Sequence, residues 1–447
     1  MSAAGPRSDS GQPRPAPATG AVHPRPPLPP GPYAVIGLAR SGSAAALALA
    51  SVGERVVGLD DAAASDAARL TAAGVEVRTG AHAQSLPPQV RAVVKSPGVP
   101  QHAAAVKEAH SRGLTVLGEL ELGWRLLPNR FIAVTGTNGK TTTAELIGHV
   151  HRVAGLPVVV AGNVGTALSG LVGRLDPGTT VVCEASSFQL EDTECFAPEA
   201  ALLINLTPDH LDRHRTFAAY VHAKSRAFER QLPDDLAVLP SSLLDGGAQA
   251  PDAGTTGGAD TPGGSEADGA GAAGRPGAAS AGDAAAAQVA ALVTAGAAQR
   301  VSFGAARDAD LCDLEGELKW RGERLIAAHE IALPGRHNVE NAMAAAAVCL
   351  ARGVGSEAVA EALRSFAGVR HRLEQVASRA GVRFVNDSKA TNIASTLVAL
   401  RTLGDEGAIR LIVGGQGKGQ DFTALVGAVR ECCRAVYLIG EDATPIA

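Results

Sequence analysis

The sequence lacks paired cysteines and an excess of positive charge. None of its six cysteines stands in a C-x-x-C pair, which argues against a zinc ribbon or a disulfide scaffold and favours a reducing cytoplasm. The formal net charge of −5 provides no basic surface, so we expect no nucleic-acid partner.

Long apolar runs are also missing. Residues 1–32 are rich in Pro, Ala and Ser without the apolar core of a signal peptide, so we predict a disordered tail. The one long uncharged run, Val153–Gly173, is interrupted by Gly, Pro, Asn and Thr. This predicts a helix end, a buried strand and a loop rather than a membrane span, and we expect no membrane association.

A glycine-rich loop directly after an apolar strand is the most informative segment present. The strand Phe131–Val134 leads into Gly-Thr-Asn-Gly-Lys-Thr-Thr over residues 136–142. Backbone N–H groups of such a loop, together with a helix N-terminus, suit a phosphate. Lys140 adds a positive charge for the β and γ oxygens, and the Thr141 hydroxyl is placed to reach Mg²⁺. Although Val134 stands where the common motif has its first glycine, we predict a nucleoside triphosphate site.

Alternating strand and helix signals predict an α/β protein of three domains. From Tyr33 a strand, a glycine turn and an Ala/Leu-rich helix are typical of the opening of a doubly wound domain, and a second strand ends at Asp60. The predicted domains cover residues 33–129, 130–329 and 330–447. A Gly- and Ala-rich stretch over 243–287 is predicted to be a disordered insertion without a catalytic role.

Four further polar segments follow predicted strands or lie at element ends. Glu184 closes an apolar strand downstream of the phosphate loop and is a candidate Mg²⁺ ligand. His210 stands between two aspartates after another apolar strand, although an isolated histidine is more often structural. The clusters at 370–374 and 386–392 combine charge and hydrogen-bonding groups that suit anionic ligands.

Taken together, these segments closely resemble the Mur ligases over about residues 33–441, apart from the insertion. The resemblance rests on Gly136–Thr142, Gly162–Gly165, Glu184–Leu190, Thr207–Asp212, Gly335–Asn338, His371–Glu374 and Asn386–Asn392. The stretch Asp387–Asn392 is similar to the branch that adds D-glutamate, because sister ligases carry a different D-Y-A-H or D-x-Y-N pattern there. Another Mur ligase, a folylpolyglutamate synthase-like amide ligase and a truncated fragment that only binds its ligands stay open as alternatives.

The resemblance implies three domains: a Rossmann-like domain for UDP, a P-loop ATPase domain and a Rossmann-like C-terminal domain. It implies a cytoplasmic monomer that joins D-glutamate to UDP-MurNAc-L-alanine with ATP, through an acyl phosphate, in peptidoglycan precursor synthesis. The family's third domain continues beyond the point where this sequence stops. We therefore expect an incomplete C-terminal domain with an uncovered sheet edge and an exposed apolar face.

The resemblance also implies roles for single residues around ATP and two Mg²⁺ ions. The phosphate loop is expected to contribute Gly136, Thr137, Asn138, Gly139, Lys140, Thr141 and Thr142. Contacts to adenine, ribose and phosphates are expected from Asn338, Asn341, Arg372 and Asp387. The expected metal ligands are Thr141, Glu184, His210 and Lys224, the last as a carbamate that presents two oxygens.

The remaining implied contacts concern the other substrates. The residues expected near UDP are Ser41, Asp60 and Ser96, and those facing the muramoyl end are Asn163, Ser186 and Gln189. The residues expected near D-glutamate and the acyl phosphate are Lys389, Thr391 and Lys418. Direct roles in catalysis are expected for Lys140, His210, Lys224 and Lys389.

Overall fold

The computed structural model of the protein describes residues 22–244, 296–404, 408–415, 422–441 and 443–446. The strands are β1 (Tyr33–Ile36), β2 (Val56–Asp60), β3 (Glu76–Thr79), β4 (Ala92–Lys95), β5 (Thr115–Gly118), β6 (Phe131–Thr135), β7 (Val158–Gly162), β8 (Thr180–Glu184), β9 (Ala200–Leu203), β10 (Leu236–Pro240), β11 (Gln299–Gly304), β12 (Leu311–Leu314), β13 (Glu317–Trp320), β14 (Glu323–Ala327), β15 (Glu374–Arg379), β16 (Val382–Asn386), β17 (Ile409–Gly414) and β18 (Cys433–Ile439).

The helices connect these strands in the alternation that the sequence predicted, which confirms the α/β class. They are α1 (Arg40–Ser51), α2 (Ala67–Ala72), α3 (Ala104–Ser111), α4 (Glu119–Leu126), α5 (Lys140–Val153), α6 (Ser187–Leu190), α7 (Leu211–His214), α8 (Phe217–Ser225), α9 (Ser241–Leu244), α10 (Arg336–Ala351), α11 (Ser356–Ser365), α12 (Ile393–Gly404), α13 (Val426–Cys432) and α14 (Ala443–Ile446). Among the helices described, none is long and apolar enough to cross a bilayer.

The first sheet is parallel, with strand order β3-β2-β1-β4-β5. All four residues of β1 are buried, as expected for a parallel strand covered on both faces. The chain turns from β1 into α1 at Gly37, whose φ is 83°. A Cβ atom at Gly42 would lie 1.7 Å from the Gly37 carbonyl oxygen, so only glycine allows this close approach. The predicted doubly wound opening is confirmed.

The second sheet has nine strands in the order β14-β13-β12-β11-β10-β9-β6-β8-β7 and carries the phosphate loop at its centre. Strands β6 to β12 run parallel, whereas β13 and β14 pair antiparallel at one edge. Side chains alternate between two cores: Ile132 and Val134 pack with α5, α10 and α11, whereas Phe131 and Ala133 pack with α4, α6 and α8. The uncharged run Val153–Gly173 contains the end of α5, the strand β7 and the loop that follows it, which confirms the prediction.

Helices α10 and α11 lie in the region that the sequence assigned to a third domain beginning at residue 330. Met343 and Val359, however, belong to the same buried core as Ile132 and Ile147 of the central sheet. Because this apolar face is buried against α5, the two helices are part of the central layer. We therefore propose that the third region begins after α11.

That third region contains two small sheets in the part described. Strands β15 and β16 pair antiparallel, and β17 and β18 pair parallel. Several apolar side chains on them are at least half exposed, namely Val376, Phe384, Ile412, Tyr437 and Ile439. These side chains give both small sheets exposed apolar surface.

The first two residues of the insertion predicted over 243–287 are helical rather than disordered. They close the short helix α9, and Leu243 is buried in the core beneath the central sheet. The remaining residues of the insertion lie outside the described part of the chain.

Part of the N-terminal tail that was predicted to be disordered over 1–32 has a defined position. From residue 22 the chain is described, and it packs against the central domain. Arg25 donates to the Asn129 carbonyl at 2.6 Å and pairs with the buried Glu199 at 3.2 Å. Its guanidinium lies 4.4 Å from the ring centroid of Trp124. The segment is also held by His23, whose Nε2 lies 2.8 Å from Asp235 Oδ1, and by Arg125, which donates to the Pro27 carbonyl at 3.0 Å. These contacts order a segment whose composition alone predicts disorder.

Arg25→Ala is expected to lower the free energy of unfolding by about 3 kcal/mol, because the substitution leaves the buried Glu199 carboxylate without its cation. Urea unfolding followed by circular dichroism measures this loss. The exposed Arg91 provides the control, since Arg91→Ala should change the free energy by less than about 0.5 kcal/mol. Equal stability of the two variants would show that the segment does not contribute to folding.

Candidate nucleotide-binding site

The phosphate loop joins β6 to α5 and is built on two glycines with positive φ. Gly136 has a φ of 150° and Gly139, at the N-cap of α5, a φ of 83°. No side chain caps α5, so N–H groups of its first turn point away from the helix without a capping acceptor. A Cβ atom at Gly139 would lie 2.0 Å from Asn341 Oδ1, so glycine also allows α10 to approach the loop. The loop thus has the form of an anion site that borders α10.

Asn205, after β9, holds the loop in shape. Its Oδ1 accepts hydrogen bonds from the backbone N–H groups of Thr137 at 3.1 Å and Asn138 at 2.9 Å. The Thr137 hydroxyl donates to the Thr207 carbonyl and accepts from the Tyr220 hydroxyl, both at 3.0 Å. Neither Asn205 nor Tyr220 was predicted as a site residue. The signal available was the position of Asn205 immediately after an apolar strand.

The amines of the partly buried Lys140 and the buried Lys224 converge on the same carbonyl oxygen. Lys140 Nζ donates to Gly136 O at 2.9 Å and to Thr137 O at 2.8 Å, and Lys224 Nζ donates to Gly136 O at 2.6 Å. Burial lowers the pKa of Lys140. Burial, and then the charge of Lys140, lower the pKa of Lys224 well below its usual value. Two amines this close are best accommodated with an anion between them or with one of them neutral.

Acidic groups offset part of this positive charge. Glu184, at the end of β8, is buried and accepts a hydrogen bond from Asn163 Nδ2 at 3.0 Å. The charges of Glu184 and Asp209 both raise the pKa values of Lys140 and Lys224, against the effect of burial. The structure therefore brings Glu184 to the phosphate loop and adds Asp209, which was not predicted as a site residue.

The predicted metal ligands His210 and Thr141 have protein partners in the structure. In the described part of the chain, no three His, Cys, Asp or Glu side chains gather as a metal site. His210 has a φ of 52°, its Nε2 lies 3.6 Å from Asp209 Oδ2, and its ring centroid lies 4.8 Å from that of Phe188. The Thr141 hydroxyl accepts a hydrogen bond from Arg372 Nη2 at 3.2 Å. Any metal would need oxygens from a bound phosphate to complete its shell.

A cleft beside the loop collects the residues predicted for the rest of the nucleotide. It is lined by Asn138, Gly139, Thr142, Asn205, Leu333, His337, Asn338, Glu340, Asn341, Gly368, Val369, Arg372, Leu373, Asp387, Ala390, Ser395, Val398 and Ala399. Asn341 Nδ2 donates to Asn338 Oδ1 at 3.2 Å, while Asp387 Oδ1 accepts from the Leu373 N–H at 3.1 Å. Burial raises the pKa of Asp387. The predicted Asn338, Asn341, Arg372 and Asp387 therefore meet at one cleft.

Two further ionisable side chains line this cleft from the start of α10. Burial lowers the pKa of His337 and raises the pKa of Glu340, so burial favours the neutral form of each. Neither residue was predicted as a site residue. Apolar residues occur all around α10, so the sequence does not indicate which side of its first turns borders the cleft, and only the packing of the helix shows it.

The residues predicted near D-glutamate lie after β16. The Lys389 N–H donates to the His371 carbonyl at 3.2 Å, and the Lys389 side chain is partly buried, whereas Thr391 is exposed. Both stand on the loop that follows Asp387, next to the nucleotide cleft. Lys418 lies outside the described residues.

The residues predicted for UDP lie at the carboxyl edge of the first sheet, where open α/β sheets bind ligands. Asp60 accepts from the N–H groups of Leu38 at 2.5 Å and Ala62 at 2.9 Å, so it fixes the glycine turn. The Ser96 N–H donates to the Ile36 carbonyl at 3.0 Å. Ser41 stands in the first turn of α1, whose N-cap has no capping side chain. The three residues therefore surround one helix N-terminus.

The residues predicted for the muramoyl end already have local partners. Ser186 and Gln189 form a capping box at the start of α6, with hydrogen bonds of 3.0 and 3.3 Å. Asn163 binds Glu184 through its side chain, and its carbonyl accepts from Arg40 Nη2 at 3.5 Å. The contact between Asn163 and Glu184 connects the loop predicted to face the muramoyl group with the residues beside the phosphate loop.

Comparison with known proteins places this geometry in a family. The model of the Mur ligase middle domain matches residues 134–244, and the model of the Mur ligase glutamate ligase domain matches residues 371–447. A UDP-N-acetylmuramoylalanine–D-glutamate ligase from Pelotomaculum thermopropionicum is 37% identical over 425 residues, covering 92% of this chain and 83% of the relative. The ligase of the same name from Salinibacter ruber is 38% identical, with coverages of 92% and 84%.

A solved structure shares the fold. The UDP-N-acetylmuramate–alanine ligase from Thermotoga maritima superimposes with a TM-score of 0.53 at 19% identity, covering 92% of this chain and 91% of that one. The predicted three-domain architecture agrees with this neighbour. The match of the glutamate ligase model from residue 371 also supports a third region that begins after α11.

Proposed function

The chain belongs to the Mur ligase family, among the UDP-N-acetylmuramoylalanine–D-glutamate ligases, and we propose how its residues divide the work of the reaction. It joins D-glutamate to UDP-N-acetylmuramoyl-L-alanine at the expense of ATP, in peptidoglycan precursor synthesis. The observation that carries the proposal is the convergence of Lys140, the buried Lys224, Glu184 and the α10 asparagines on one phosphate loop. The six free cysteines suit a reducing cytoplasm, where we place a monomeric enzyme.

The first step is phosphoryl transfer to the substrate. The L-alanine carboxylate of the UDP precursor attacks the γ-phosphorus of ATP, the bond to the β-phosphate oxygen breaks, and an acyl phosphate and ADP form. Charge spreads over the transferring oxygens, so fixed donors contribute most of the stabilisation. Lys140 and the loop N–H groups provide these donors, and Arg372 adds a cation from the third region.

The second step forms the amide. The free-base amine of D-glutamate attacks the acyl carbon, a tetrahedral intermediate forms, and the C–O bond to phosphate breaks as the nitrogen loses a proton to solvent. Lys389 and Thr391 lie next to the nucleotide cleft and supply a cation and a hydroxyl for the incoming amino acid. Position rather than covalent chemistry by the protein accelerates this step.

The donors around the loop fit Mg²⁺ once phosphates are present. Mg²⁺ takes one or two carboxylates together with phosphate oxygens, and Glu184 is a buried carboxylate close to Lys140 and Lys224. We assign Thr141 and Glu184 to one ion and His210 with Lys224 to a second. Bound there, the ions neutralise charge on the phosphate oxygens.

Lys224 is proposed to act as a carbamate. Its lowered pKa favours the neutral amine, which is the form that reacts with CO₂. An ammonium at this position would repel both Lys140 and a metal ion. A carbamate replaces that repulsion with attraction and presents two oxygens to the metal.

The choice of amino acid tests the proposed function. The protein is incubated with ATP, Mg²⁺ and UDP-MurNAc-L-alanine, and in parallel with D-glutamate, L-alanine or meso-diaminopimelate. Mass spectrometry should find the amide product with D-glutamate alone. Comparable product from either of the other amino acids would show that the chain is a different amide ligase.

A further inference from the structure

The short helix α7, directly after His210, contains an arginine with contacts in two domains. Arg213 Nη1 donates to the Pro97 carbonyl at 2.9 Å, and Nη2 pairs with Glu191 Oε1 at 2.5 Å. Its guanidinium also lies over the ring of Phe188, 4.1 Å from the centroid. The guanidinium is planar, so its N–H groups point in fixed directions and its face is free to lie over a ring. Arg213 therefore holds Pro97, Glu191 and Phe188 in one arrangement.

The three partners belong to two segments that are predicted to face different parts of the substrate. Pro97 follows Ser96 in the loop after β4, at the UDP edge of the first sheet. Phe188 and Glu191 belong to α6 and its C-cap, which begins at the capping box of Ser186. Arg213 therefore joins the UDP loop to the segment predicted to face the muramoyl group.

The same cluster reaches the phosphate side through aromatic contacts. The Phe188 ring lies 4.8 Å from the ring of His210 and stacks on His214 at 5.3 Å. His214 Nε2 in turn lies 2.9 Å from the Ser187 hydroxyl. The loop of His210, the start of α6 and the UDP loop are thus linked around one guanidinium.

We propose that Arg213 is a positioning residue for the ligation, an inference that rests on the proposed function. By fixing the UDP loop relative to α6 and His210, it sets the distance between the anchored UDP end of the precursor and the phosphate loop. The carboxylate at the far end of the precursor then arrives next to the γ-phosphate. A misplacement of about 1 Å costs on the order of a hundredfold in rate, so such a clamp has a large effect.

Docking of the first domain does not depend on Arg213 alone. Lys95 forms a buried ion pair with Asp192 at 2.7 Å, and Glu121 accepts from the N–H groups of Glu194 and Cys195, each at 3.1 Å. These contacts join the same two domains without involving Arg213. Loss of Arg213 should therefore leave the fold intact and change the local geometry of the loops.

The test compares Arg213→Ala and Arg213→Lys with Arg215→Ala, a control that removes an exposed arginine two positions away. Affinity for UDP-MurNAc-L-alanine is measured by calorimetry without ATP, and steady-state KM values are measured for all three substrates. In Arg213→Ala kcat should fall by up to on the order of a hundredfold, because the precursor carboxylate is misplaced relative to the γ-phosphate. The Kd and KM for the UDP precursor should rise on the order of tenfold, because the loop after β4 is no longer held against α6. The lysine variant should be intermediate, since it keeps the charge without the planar fork.

The KM for ATP distinguishes positioning from general damage. It should stay within about twofold of the wild-type value in both variants, and Arg215→Ala should match wild type throughout. Unchanged precursor affinity in Arg213→Ala, or a proportional change in all three KM values, would overturn the inference. The binding measurement needs no turnover. A wild-type protein that binds the UDP precursor but forms no product would therefore contradict the proposed function and leave the role of Arg213 to be tested by the change in affinity.

Discussion

Lys140→Ala is expected to lower kcat by about a thousandfold, because the variant loses the cation that faces the transferring phosphoryl group. In the structure Lys140 Nζ donates to two carbonyls of the loop, and we expect phosphate oxygens to replace these carbonyls as its partners when nucleotide binds. Its removal leaves the loop N–H groups in place, so ATP binding should weaken less than turnover. A coupled assay of ADP formation measures the effect.

The control for this variant is binding of the UDP precursor. Lys140 lies at the phosphate loop, whereas Ser41, Asp60 and Ser96 surround the end of the first sheet. Calorimetric affinity for UDP-MurNAc-L-alanine should therefore stay near the wild-type value and show that the fold is intact. Near-normal ADP formation in Lys140→Ala would contradict the proposal that the loop over residues 136–142 binds the phosphates of ATP.

Lys224→Ala is expected to reduce kcat by on the order of a hundredfold or more, with partial recovery when formate or acetate is added. The substitution opens a buried space beside Gly136 O, and a short carboxylate placed there supplies the oxygens that we assign to the carbamate. Turnover as a function of carboxylate concentration should rise and saturate.

Lys224→Arg is the matched control. It keeps a long cationic side chain that cannot form a carbamate and fills the space that the added carboxylate would need. It should be inactive and stay inactive with formate. Full activity of Lys224→Ala without additives would rule out the carbamate. Equal rescue of both variants by formate would show that formate does not act in the space left by the Lys224 side chain.

The phosphate loop was predicted well because its geometry is local. Gly136 and Gly139 adopt the positive φ values that such a turn requires, and the strand before it and the helix after it begin where the spacing indicated. Asn205 and Tyr220 were not predicted, since their bonds to Thr137 join residues 68 and 83 positions apart. Only the order of strands in the sheet brings such residues together.

Helix α10 and the N-terminal segment show two other limits. Apolar residues surround α10, so periodicity does not identify the face that packs on α5. The sequence prediction placed α10 in the third domain, whereas its packing against α5 supports our proposal that the third region begins after α11. The segment from residue 22 has the composition of a disordered tail. Its order comes from specific contacts, among them those of Arg25 with Trp124 and Glu199 and of His23 with Asp235, which composition does not reveal.

The nucleotide cleft and the two convergent lysines together support one central claim: the γ-phosphate of ATP activates the carboxylate of the UDP precursor. Transfer of ¹⁸O tests it most directly. UDP-MurNAc-L-alanine labelled with ¹⁸O at both carboxylate oxygens is turned over with ATP, Mg²⁺ and D-glutamate, and the released phosphate is analysed by mass spectrometry. Attack by the carboxylate predicts one ¹⁸O atom in each phosphate. Unlabelled phosphate released alongside the amide product would contradict the acyl phosphate route.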